Sequence, residues 1–167
     1  MKRILLILDG TDRLDEAMAE VKHLCDPNDK LTILSVAETP SPEVLGMRPS
    51  HITPEPYTGP GGAPTAPSGL DVPIMESEGD VERRIAGELR DALDERVGAL
   101  QNGIRIWTQA IVRDQPATAV ADYVRASDFE EVAVPRRSLD RLHELLTDPS
   151  GQDALDGSLA PVIVLPA

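Results

Sequence analysis

Apolar residues follow two rhythms along this chain. The first is a short unbroken run. Ile4, Leu5, Leu6, Ile7 and Leu8 stand together with no polar interruption, and Val162, Ile163, Val164 and Leu165 do the same near the end. Such runs suit strands buried on both faces, as in a parallel sheet. "KLTILSVAE" supplies a second strand, Leu31 to Ala37, "IRIWTQAIV" a third and "EEVAV" a fourth. Between them the rhythm turns helical. Leu14, Met18, Val21 and Cys25 recur on one face, with Thr11 or Asp12 as N-cap and Pro27 past the end. Val81, Ile85, Leu89, Leu93, Val97 and Leu100 draw a longer stripe, with Gly103 at the place of a C-terminal cap. Pro116 opens a further helix whose inner face is Ala117, Val120, Ala121 and Val124. Strand and helix alternate to a fifth strand, which predicts an α/β fold with a five-stranded parallel sheet and right-handed crossovers.

One segment breaks the alternation. Residues 39–79 hold nine of the 15 prolines and six of the 12 glycines. So many fixed φ angles and missing donors exclude a helix or an internal strand, leaving a long loop inserted after the second strand. Its scattered apolar residues, among them Val44, Leu45, Met47, Tyr57 and Ile74, suit either a mobile excursion or a lid or arm.

Composition narrows the setting. At 167 residues the chain is one domain's worth, 1–167, with enough length for a core without disulfides. Cys25 is the single cysteine, and the apolar run near the start is too short for a signal peptide or a membrane span. A cytoplasmic setting is expected. The net charge of −13 repels nucleic acid and anionic membrane alike, so neither is an expected partner. Acidity of this degree serves solubility, or a salt-rich cytoplasm.

Three stretches carry a family resemblance. "KRILLILDGTDRLDEAMAEV" resembles the opening strand, acidic turn and first helix of the universal stress protein family. "AIVRDQPATAVADYVRASDFEEVAV" is similar to that family's strand, Pro-Ala turn, alanine-rich helix and acidic lead into the next strand, and "APVIVLP" to its terminal strand. The resemblance implies a three-layer, Rossmann-like sandwich of the adenine nucleotide α-hydrolase type. It also implies a homodimer through the terminal strand, Val162, Ile163, Val164 and Leu165.

Members that bind ATP carry Gly, two residues, Gly, nine residues, Gly, then Ser or Thr, from the end of the fourth strand. Here those places fall on Pro135, Ser138, Asp148 and Pro149. Prolines remove two N–H donors, Ser138 restricts close backbone approach, and Asp148 sets a negative charge where phosphate oxygens would sit. Asp114, two residues before Pro116, also stands where the family usually has glycine. By the same resemblance Asp9 matches the acidic residue beside the adenosine, and Val36 the strand end that meets adenine. As an alternative to these roles, Asp9 is a turn-former and an anion at a helix N-terminus. Arg136 and Arg137 suit either an anion or, as the favoured reading, an exposed pair that answers Asp140, Glu144 and Asp148.

Catalytic patterns are missing from the sequence: there is no G-x-S-x-G, no H-E-x-x-H and no cysteine pair. His23, His51 and His143 are widely spaced, which suits solvated positions better than metal ligands. Ser138, His143 and Asp148 have the residue types of a triad, but five-residue spacing on a helical stretch scatters them around the axis. The expectation is a non-enzymatic stress or regulatory homodimer without ATP, acting through its surface on a protein partner. The alternative is a binder of ATP or AMP, or a weak hydrolase, using the adenosine half of the cleft.

Overall fold

The structure, a computed structural model, describes residues 1–11, 13–40, 77–99, 103–156 and 158–166. Strands β1 (Arg3–Leu8), β2 (Lys30–Glu38), β3 (Arg105–Arg113), β4 (Glu131–Pro135) and β5 (Val162–Leu165) form one sheet in the order β3-β2-β1-β4-β5. Every pairing is parallel. The unbroken run Ile4–Leu8 is the central strand β1, and its five side chains are at most 1% exposed. Alternate residues of that run feed two cores. Leu5 and Ile7 join Leu34, Val36, Val132 and Val134 under α3 (Pro116–Ala126) and α4 (Leu139–Leu146). Ile4, Leu6 and Leu8 join Leu31, Ile33 and Ala133 under α1 (Leu14–Val21) and α2 (Glu78–Gly98). The result is the expected helix–sheet–helix sandwich.

Local details differ from the sequence expectation at the helix ends. Arg13 stands at the N-cap of α1 and offers no side-chain cap; Thr11 contributes through its backbone carbonyl, which accepts from Leu14 N–H at 3.2 Å. Cys25 lies beyond the end of α1, half-buried against the core of that face. Burial pushes its thiol up to about 11, with nearby Asp29 adding to the shift. In α2 the cap is Ser77, whose hydroxyl accepts from Asp80 N–H at 3.2 Å, so the last residues of the 39–79 segment are helical. Residues 41–76 of that segment, Asp12 and Leu100 lie outside the described residues. Gly103 does take a left-handed φ of 80°, but in the turn that enters β3; the C-cap of α2 is Ala99.

A buried carboxylate fixes the opposite rim of the sheet. Asp29 accepts from Lys2 N–H at 2.7 Å and from Asp26 N–H at 2.9 Å, which ties the start of β1 to the turn before β2. These two donors hold its carboxyl below the usual range, that of Asp26 contributing most.

Candidate functional site

The chain leaves β1 toward β2 on one side and returns from β3 to β4 on the other, so the direction of winding switches between β1 and β4. Open α/β sheets place ligands in the crevice outside the carboxyl ends of strands at such a point. Asp9 and Gly10 follow β1 there, and Pro135 closes β4. Gly10 takes a φ of 136°, a conformation that side chains rarely adopt, and its carbonyl accepts from Ser35 Oγ of β2 at 3.2 Å. After Pro135, residues Arg136–Ser138 make one 3₁₀ turn that runs directly into α4.

That turn delivers Ser138 to the crevice. Its side chain is fully buried, and its hydroxyl donates to Asp9 Oδ1 at 2.9 Å. The bond spans the two strands of the switch point and joins residues 129 positions apart. Asp9 and Ser138, two of the sequence-predicted positions, are thus brought together. Pro135 is buried at the same strand end and has no N–H to offer. Val36 is also there, in register with Ile111 of β3, but its side chain belongs to the buried core rather than to the crevice.

Asp148 lies in the turn after α4, and its contacts are local. Its Oδ1 accepts from Ser150 N–H and Gln152 N–H, both at 2.9 Å, and from the Ser150 hydroxyl at 2.6 Å. These donors, the hydroxyl first, hold its carboxyl below the ordinary range. Gly151, with φ 85°, allows the chain to fold around it, and its N–H meets the Asp148 carbonyl at 2.9 Å. The carboxylate thus takes up the N–H donors of its own turn. Pro149 is exposed beside it.

The arginines pair differently from the sequence expectation. Arg137 reaches Glu16 of α1 at 3.6 Å, across the crevice mouth, instead of the acids of α4. Arg141 takes Glu144 at 2.9 Å and Glu38 of β2 at 3.3 Å. Arg136 and Asp114 are exposed. The Ser138, His143, Asp148 set is not assembled: the Ser138 hydroxyl goes to Asp9, while the exposed His143 has Asp153 at 3.8 Å. His23 is exposed and His51 lies outside the described residues. Among the described residues no three His, Cys, Asp or Glu side chains gather as metal ligands would, and no helix is long and apolar enough to cross a membrane.

No protein-family model and no curated protein sequence matches the chain. In three dimensions it is similar to the hypothetical protein MJ0577, whose biochemical function was assigned from its structure. The TM-score is 0.54, with 13% identity over 98% of this chain and 94% of that one. It is also similar to the hypothetical protein PH0823, with a TM-score of 0.51, 14% identity and the same coverage of both chains. The likeness is one of fold. It agrees with the fold that the universal stress protein resemblance implies.

The sequence offered no signal for the Asp9–Ser138 bond, because the two residues meet only through the order of the strands. The same holds for Ser35, whose hydroxyl looks like any strand serine until β2 lies beside the turn after β1.

Proposed function

We propose that this chain is a non-enzymatic, universal stress protein-like regulator that acts as a homodimer and does not take ATP into its crevice. The observation that carries the reading is the Ser138–Asp9 hydrogen bond across the switch point. A nucleotide entering there has to break a charge-assisted bond made by a fully buried hydroxyl. Asp148 supports the same reading, because its carboxylate already holds the N–H groups of the turn after α4. A phosphate approaching it meets a like charge. That repulsion opposes binding in addition to the loss of the donors the carboxylate already holds.

The homodimer reading rests on β5, which is an edge strand with Val162 and Val164 46% and 44% exposed. Its outer backbone groups, unpaired among the described residues, and the two exposed valines suit an isologous contact with a second copy. Leu165, by contrast, is buried in the core of its own chain.

A second reading, binding of ATP or AMP through the adenosine half, draws on the half-exposed Asp9 at the strand end. Isothermal titration separates the two. The leading reading expects no binding tighter than millimolar for ATP or AMP, and a micromolar dissociation constant for either overturns it in favour of the second.

A further inference from the structure

At the other end of the sheet the described residues leave the α3-side face uncovered. Along β2 the residues on that face are Lys30, Thr32, Leu34 and Val36, and the latter two alone belong to the core. On β3 the corresponding residues are Arg105, Trp107, Gln109 and Ile111, and on β1 Arg3 precedes Leu5 and Ile7. Among the described residues the helical cover thus stops partway along the strands and leaves the amino-terminal portion of the face open. A recess of about 520 Å³ lies there, lined by Arg3, Lys30, Thr32, Trp107 and Gln109, with Tyr123 of α3 as one wall. The recess continues around the β3 edge to Arg90 of α2 and to Thr108, whose hydroxyl is held by Asp94.

Charge sets this recess apart from the rest of the molecule. The chain has 29 acidic residues against 16 basic ones, yet among the described residues the lining carries three cations and no carboxylate. Two of the cations are propped on rings rather than neutralised. Lys30 Nζ sits 5.5 Å from the Trp107 ring centroid, and the Arg3 guanidinium 5.7 Å from that of Phe129, itself in tilted contact with Tyr123. Arg3 has one carboxylate partner, the fully exposed Asp128 at 4.0 Å, and among the described residues Lys30 and Arg90 make no ion pair. Trp107, the single tryptophan of the chain, is 47% exposed. The half-exposed indole and the hydrated cations beside it leave a ring face and positive charge accessible to a ligand. A ring stacking on the indole buries apolar surface, and an anion meeting the cations forms charge-assisted hydrogen bonds.

We propose that this recess binds a small aromatic acid, a planar ring bearing one carboxylate or phosphate group. The acid group lies between Arg3 and Lys30, where charge-assisted hydrogen bonds are strongest. The ring lies against Trp107, and Thr32 and Gln109 supply neutral donors and acceptors at its rim. The volume falls within the range of small-molecule sites, about 300–1,000 Å³. The site lies toward the strands' amino-terminal ends and is independent of the crevice at Asp9.

The single tryptophan supplies the assay, because its indole N–H gives one resonance in a ¹H–¹⁵N spectrum. Benzoate and phenyl phosphate are titrated separately, with benzamide as the neutral control. At least one anion is expected to move the indole resonance saturably, and the tighter of the two identifies the acid group. Benzamide is expected to bind at least about tenfold more weakly, as is the anion to the Arg3→Gln/Lys30→Gln variant, one tenfold step being about 1.4 kcal/mol. Both substitutions lie on the surface, and an unchanged backbone spectrum verifies the fold of the variant. The proposal is overturned if neither anion gives a saturable shift, if benzamide binds as tightly, or if the double variant binds as well as the parent. A shift of the same resonance on raising protein concentration alone also overturns it, by assigning this face to a second copy of the chain.

Discussion

Replacing Ser138 with alanine removes one hydroxyl and one hydrogen bond, and the structure sets the expected size of the loss. The hydroxyl is fully buried and donates at 2.9 Å to a carboxylate, and hydrogen bonds to charged groups contribute about 1.5–3 kcal/mol. Asp9 is half-exposed, so the oxygen left behind recruits water, which places the loss near the lower end, about 1.5 kcal/mol. With a urea m-value of about 2 kcal/mol/M, the denaturation midpoint falls by roughly 0.7 M, read by circular dichroism. Asp9→Ala tests the same bond from the other side, and the double variant closes a cycle. If the two residues act through each other, the double variant is about 1 kcal/mol more stable than the sum of the single losses implies. Additivity within about 0.3–0.5 kcal/mol would refute the bond as a strut of the crevice. The cycle is run without nucleotide, so its outcome is separate from the titration with ATP.

Gly10→Ala puts a side chain at φ 136°, and although the space around it is open, the backbone strain is expected to cost about 1–3 kcal/mol in thermal or urea unfolding; an unchanged midpoint would mean that the turn relaxes freely. Val162→Lys with Val164→Lys places two charges on the exposed face of β5 and is expected to convert a dimer to monomer in analytical ultracentrifugation; a parent protein that already sediments as a monomer at micromolar concentration rejects the interface. Asp29 has its folded-state pKa held below the ordinary value, so its contribution is present above about pH 4 and is lost as pH falls through the folded pKa. Asp29→Asn is therefore expected to be less stable than the parent at neutral pH and to lose less stability from about pH 5 to pH 2; parallel curves for parent and variant through that window contradict the assignment.

Local pattern along the chain was enough to read the elements and their class. Ile4–Leu8 has no polar position to turn toward solvent, so the run predicts a strand covered on both sides, and in the structure it is the central one. Ala117, Val120, Ala121 and Val124 repeat at helical spacing, and all four are buried. Such signals are local, because periodicity over ten residues reports which sides of an element meet the core. Helix ends were less legible, since the cap of α1 is a matter of backbone carbonyls rather than of residue type.

At the candidate site the sequence marked Asp9, Pro135, Ser138 and Asp148 as positions and was silent on their contacts. Asp9 and Ser138 meet because β4 lies beside β1, a neighbour relation set by strand order and not by either residue's own surroundings in the chain. Arg137 finds Glu16 for the same reason, although nearer acids on α4 stood as partners in the sequence. The recess at Trp107 is the clearest case. Arg3, Lys30 and Trp107 belong to three strands, each polar or exposed residue looks unremarkable in its own strand, and only parallel registration sets them on one face. Side-chain direction alternates with every strand residue, so which cations share a surface is decided by the register between strands, and that register is a tertiary fact.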